Sequence, residues 1–161
     1  MDVRPLAYFV YRTEHGALSI CVAKEGVRNV AFGDVPFDAP RRPTALSNAA
    51  STQIMEYLAG KRRSFDVPLA LAGTAFQQAV WEEVGRIPYG ETRTARDIAR
   101  EIGQPTSYRA VGAAVRENPL PILIPTHRIV KSDGRPYDTG SNGHIGSALL
   151  RMESETKSLQ L

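Results

Sequence analysis

The order of strand and helix signals constrains this chain most, and it changes at Gly73. Ahead of that glycine, the runs Leu6 to Tyr11, Leu18 to Ala23 and Val27 to Phe32 read as strands, separated by turn signals at His15-Gly16 and Glu25-Gly26. Three such runs predict an antiparallel meander. A proline-rich loop from Pro36 to Pro43 leads into a helix over Ala45 to Ala59, with Ile54, Tyr57 and Leu58 at helical spacing and Gly60 as its C-cap. Phe65 to Leu71 predicts one further extended piece. Beyond Gly73, Thr74 is a good N-cap for a helix that holds Phe76, Val80, Trp81 and Val84 on one face. Pro88-Tyr89-Gly90 breaks it. Thr94 and Asp97 make a capping-box-like start to a helix with Ile98 and Ile102, Gly103-Gln104-Pro105 turns the chain, and Ser107 opens another helix to about Val115. Helix, short glycine-containing turn and helix is the helix-turn-helix pattern. The chain therefore predicts an α+β protein of two domains, residues 1–72 and 73–161.

The last helix carries Ala110-Val111-Gly112-Ala113-Ala114-Val115, residues small enough for a second backbone or a nucleic-acid groove to approach closely. Arg109 near its start is misplaced for the helix dipole, which marks it as a candidate for function. After it comes the apolar run Asn118 to Ile124, and then Pro125-Thr126-His127-Arg128-Ile129-Val130. This segment reads as a short buried strand or extended segment with a Thr-His pair at its end. Thr126 and His127 are either satisfied polar groups at a core edge or a site held on rigid backbone.

Composition narrows the class. The formal charge is +3 over 161 residues, mildly basic and compatible with nucleic acid without requiring it. The single cysteine, Cys21, excludes an internal disulfide and suits a reducing compartment. There is no run of roughly 18 apolar residues, and Met1 to Pro5 lacks a signal-peptide pattern, so a soluble, cytoplasmic monomer away from membranes is expected. His15, Cys21, His127 and His144 show no ligand spacing, and Gly140-Ser141-Asn142-Gly143 lacks the lysine of a phosphate loop. Neither a metal nor a cofactor is expected.

Four stretches together carry a resemblance. Thr74 to Trp81, Ile87 to Thr92, Arg109 to Ala114, and Asn118 to Arg128 strongly resemble the alkylguanine–DNA alkyltransferases, in order and without obvious gaps from about Thr74 to Glu153. The resemblance implies a ribonuclease-H-like leading domain and a winged-helix domain that enters the minor groove of double-stranded DNA and flips a base. It implies that His127 and Glu153 match the pair that activates the family's cysteine through a water, and that Asn118 holds the active-site turn. Arg109 matches the arginine that replaces the flipped nucleotide. Thr94 and Ser132 match phosphate-contacting hydroxyls, Ala110, Gly112 and Ala113 lie on the groove-facing helix, and Pro121 and Ile129 match pocket walls.

The departures decide the chemistry. The family signature is Pro-Cys-His-Arg, and Thr126 stands at the cysteine. Attack on an alkyl carbon needs a soft anion, which a thiol of pKa ~8.5 can become, while a threonine hydroxyl is a far weaker acid. Ala95 stands where the family has a tyrosine that pushes on the backbone phosphate. The glycine-rich lid is rewritten as Gly134 to His144, with Thr139 at the lid tyrosine, Gly140 beside it and Tyr137 two positions early. Three readings follow. The first is a DNA damage sensor that binds alkylated guanine and recruits excision-repair proteins without repairing it. The second is a redeployed enzyme using Thr126, His127 and Glu153 on a small-molecule ligand. The third is a DNA binder without lesion preference, or a cysteine-to-threonine mutant of an active enzyme.

Overall fold

The computed structural model describes residues 2–137 and 143–158. Two compact units divide the chain, Met1–Ala72 and Gly73–Leu161.

In the first unit, β1 (Ala7–Thr13), β2 (Gly16–Ala23) and β3 (Gly26–Phe32) form an antiparallel sheet in the order β1-β2-β3. Phe9 pairs with Ile20 and Ile20 with Val30. Helix α1 (Ala45–Leu58) packs on this sheet through Ala50, Ile54 and Tyr57, all fully buried. Its N-terminus is held by a reciprocal Thr44–Ser47 capping box, and its cap at the far end is Ala59, with Gly60 taking the left-handed turn at φ +75°. The extended piece beyond α1 docks on the start of β3. Val27 N–H donates to the Pro68 carbonyl at 2.9 Å, and Ala70 N–H donates to the Val27 carbonyl at 2.9 Å. That approach requires a glycine, because a Cβ on Gly26 would stand 2.6 Å from the Pro68 carbonyl oxygen. Cys21 lies in the core of this sheet, and burial pushes its thiol pKa up, which removes it as a nucleophile.

In the second unit, α2 (Ala75–Val84), α3 (Ala95–Glu101) and α4 (Tyr108–Arg116) pack on one another. The capping boxes at Thr74 with Gln77 and Thr94 with Asp97 start α2 and α3. Ser107 precedes α4 without capping it; its hydroxyl reaches the Gln104 side chain at 3.3 Å instead. Burying Val80, Trp81 and Val84 stabilises the bundle by roughly 1.5–3 kcal/mol for each of the apolar side chains. Trp81 also donates its indole N–H to the Ala114 carbonyl at 2.9 Å, so part of the small-residue surface of α4 is occupied by helix packing. Short strands β4 (Arg93–Thr94) and β5 (Ile129–Val130) pair in parallel, and α5 (Gly143–Ser158) brings Glu153 to the segment between them. The protein is α+β.

Candidate functional site

The segment before Thr126 is not a strand. Ile124 N–H donates to the Leu120 carbonyl at 2.8 Å, Thr126–Arg128 forms a single 3-10 turn, and only Ile129–Val130 is extended and paired. Pro119 and Pro121 have no N–H to give a sheet ladder, so the apolar run folds on itself. Asn118 clamps the fold. Its carbonyl oxygen accepts from Leu120 N–H at 2.8 Å, and its amide donates to the Ile124 carbonyl at 2.9 Å and to Thr126 Oγ1 at 3.0 Å. Ile122 sits at φ +74°, a left-handed conformation that costs a β-branched residue about 1–3 kcal/mol. The clamp holds that strain in place and aims the Thr126 hydroxyl.

Behind Thr126 lies a buried charge cluster. Glu153 is fully buried and accepts from Gly90 N–H at 2.9 Å, from His127 Nε2 at 2.7 Å and from Arg128 Nε at 2.9 Å. Arg128 also donates to the Ile87 carbonyl at 2.7 Å. The structure thus joins His127 to Glu153, as the resemblance implied, and adds Arg128, which sequence reasoning quoted within the motif but gave no role. The available signal was an arginine inside an otherwise apolar buried segment, which requires an acidic partner. Burial pushes the His127 pKa below its usual value, against the opposing pull of Glu153, so the imidazole is neutral at pH 7. To donate to Glu153 it carries its proton on Nε2, leaving Nδ1 as the basic atom.

This depression has a sign that can be measured. Because the folded protein disfavours protonated His127, the unfolded chain binds more protons as pH falls below about 6.5, and stability drops there. Above that pH the contribution is complete. The stability gap between the protein and His127→Asn is therefore expected to narrow as denaturant midpoints are followed from pH 7.5 to pH 5. A gap that stays constant or widens would show that His127 is not held neutral.

Thr94, Ala95, Arg109, Ser132 and Tyr137, distant in sequence, line one groove of about 290 Å³ together with Arg96, Tyr108, Val130 and Lys131. Thr126, only 5 % exposed, does not line it. On α4, Ala110 and Ala113 face solvent beside Arg109, as a nucleic-acid contact requires. Gly112 does not: it is buried beneath Tyr137, whose hydroxyl occupies the space a Cβ would need, and Arg116 donates to that hydroxyl at 3.3 Å. Ile129 is 1 % exposed and belongs to the core rather than to an open pocket wall, whereas Pro121 is half-buried at the turn. Thr139 and Gly140 lie outside the described residues. Arg135 pairs with Asp133 at 2.6 Å and stays exposed, so Tyr137 is the side chain that closes on α4. Among the described residues no group of acidic, histidine and cysteine side chains could hold a metal.

A sheet-and-helix unit followed by a helix-turn-helix unit, with a clamped hydroxyl before a buried His–Glu–Arg cluster, defines a class of two-part α+β proteins whose helical part holds the candidate site. Residues 75–155 match the model of the DNA-binding domain of 6-O-methylguanine DNA methyltransferase, and residues 6–71 match that of its ribonuclease-like domain. The methylated-DNA–protein-cysteine methyltransferase of Methanosarcina acetivorans is 37 % identical over 151 residues, covering 91 % of this chain and 97 % of that protein. The constitutive methylated-DNA–protein-cysteine methyltransferase of Bacillus subtilis is 46 % identical over 131 residues, 81 % of this chain and 74 % of that protein. A crystal structure of Mycobacterium tuberculosis OGT in complex with DNA superposes with a TM-score of 0.83 at 34 % identity, covering 94 % of each chain. The chain belongs to the 6-O-methylguanine DNA methyltransferase family, a family of DNA alkyltransferases.

Proposed function

We propose that this protein binds duplex DNA carrying an alkylated guanine and holds the lesion without accepting its alkyl group, acting as a damage sensor for excision-repair proteins. The observation that carries the reading is the hydroxyl of Thr126, placed by the Asn118 clamp where the resemblance puts the acceptor cysteine. The supporting architecture is kept: the His127–Glu153 pair is buried and hydrogen bonded, and Arg109, Ala110 and Ala113 are exposed along α4. The nucleophile is not. A neutral imidazole is too weak a base to ionise a threonine hydroxyl for attack on an alkyl carbon, and Cys21 is buried in the other unit.

Two duplexes, identical except for one O6-alkylguanine, test the reading in a fluorescence anisotropy titration at one fixed salt concentration. Tighter binding of the alkylated duplex is expected, with no labelled alkyl group retained on the protein after denaturation. Equal affinities would overturn it. Thr126→Cys is expected to retain little label in the same assay, because Ala95 and the rewritten Gly134 to His144 segment depart from the family pattern as well. Stoichiometric labelling of that variant would instead identify the chain as an alkyltransferase disabled at one atom.

A further inference from the structure

Helix α4 presents Arg109, Ala113 and Arg116 to solvent at helical spacing, so they share one stripe. Gly112 falls on the same stripe and is nevertheless buried. Its cover comes from far along the chain. The three heavy atoms nearest to where a Cβ on Gly112 would stand all belong to Tyr137. That Cβ would overlap the phenol hydroxyl and lie 3.1 Å from the ring carbon that bears it. A glycine inside a helix is destabilising relative to alanine. Here the missing methyl group is the room in which the phenol sits.

Tyr137 is held unevenly. The backbone leading to it is pinned: Gly134 N–H donates to the Lys131 carbonyl at 2.8 Å, Lys131 N–H donates to the Arg135 carbonyl at 2.9 Å, and Pro136 bridges to Val130. The ring is held far less. Arg116 donates to its hydroxyl at 3.3 Å, just beyond the usual hydrogen-bond range. The Arg116 guanidinium carbon lies 5.5 Å from the ring centre, near the outer reach of a cation–π contact. Arg116 is exposed and makes no ion pair among the described residues that would draw it away from the ring. A pinned backbone and a loosely held ring describe a side chain that swings about its own χ angles while the turn before it stays in place.

We infer that Tyr137 is a latch by which the chain occludes its own DNA-facing helix. Closed, the phenol covers Gly112, the stripe position between Arg109 and Arg116, and engages Arg116. Open, it clears the small-residue stripe, which only then admits the walls of a minor groove. The role is not that of a pocket wall: Tyr137 contacts its own helix and leaves when duplex arrives. The inference rests on the DNA-binding reading above and adds a regulation to it, since the closed form lowers the affinity for duplex. Apparent affinity scales with the open fraction, so two contacts of this strength hold it down by about tenfold.

Two substitutions open the latch by different physics. Tyr137→Ala deletes the ring, and Gly112→Ala keeps it but puts a methyl group where its hydroxyl rests. On the full chain at one fixed salt concentration, each is expected to bind a plain duplex about tenfold tighter than the parent by fluorescence anisotropy. Tyr137→Phe, which loses only the Arg116 hydrogen bond, should gain about threefold. The double variant Gly112→Ala with Tyr137→Ala should gain no more than either single one, because both act on one contact. Without DNA, nitration of Tyr137 by tetranitromethane, followed by peptide mass spectrometry, should run faster in Gly112→Ala than in the parent. Unchanged affinity in both single variants, with the parent binding normally, overturns the latch and leaves the DNA reading standing. So does a double variant whose gain is the product of the two, or nitration that Gly112→Ala does not accelerate. Failure of the parent and every variant to bind duplex at any salt removes both readings. If Gly112→Ala melts below the parent by circular dichroism, Tyr137→Ala, at a half-buried position off the helix, carries the affinity test alone.

Discussion

Glu153→Ala is expected to destabilise the protein by about 3–5 kcal/mol, because it strands a buried guanidinium and removes the partner of a buried imidazole. Arg128 is 5 % exposed and makes all its carboxylate bonds to Glu153, so no rotation brings its charge to water at low cost. In a chain of this length the melting midpoint should fall by roughly 6–20 °C. The loss reports an uncompensated charge, not the net worth of the cluster. Removing both charges together, as Arg128→Met with Glu153→Leu, is therefore expected to cost less than Glu153→Ala alone. A double variant less stable than the single one would mean that the ion pair itself, and not the stranded arginine, dominates.

The second large effect is expected at Asn118. Asn118→Ala removes three hydrogen bonds, each worth about 1 kcal/mol net, and leaves the Ile124 carbonyl without its side-chain donor. It also releases the turn that keeps Ile122 at φ +74°. A loss of about 2–4 kcal/mol is expected by denaturant titration. A loss below about 1 kcal/mol would show that Pro119 and Pro121 alone hold the turn.

These two positions also mark how far the sequence reaches. Thr74 and Thr94 were legible as helix starts because a capping box is closed by residues three apart, with no help from the rest of the fold. The three strands were legible for the same reason, alternation and turn chemistry being local. The apolar β-branched composition of the Thr126 segment suits a strand or extended piece, yet only Ile129–Val130 is one. What prevents it is the pair of prolines and a side-chain clamp from Asn118, a competition that composition does not express. Gly112 was assigned to a nucleic-acid surface from the smallness of its neighbours. Its actual partner is Tyr137, 25 positions later, which the helix face cannot announce.

The sequence by itself determined the three strands, the helices as far as α4, the division at Gly73 and the family, since each depends on residue identity and short-range pattern. Only the tertiary structure decided which charges meet. Glu153 reaches His127 and Arg128 because α5 packs against the turn at residues 126–128, and burial there makes the pairing obligatory and the imidazole neutral. Arg96, Arg109 and Lys131 become one groove because β4 and β5 pair side by side and α4 starts next to them. Burial and charge proximity are properties of distances in space, and no spacing along the chain encodes them.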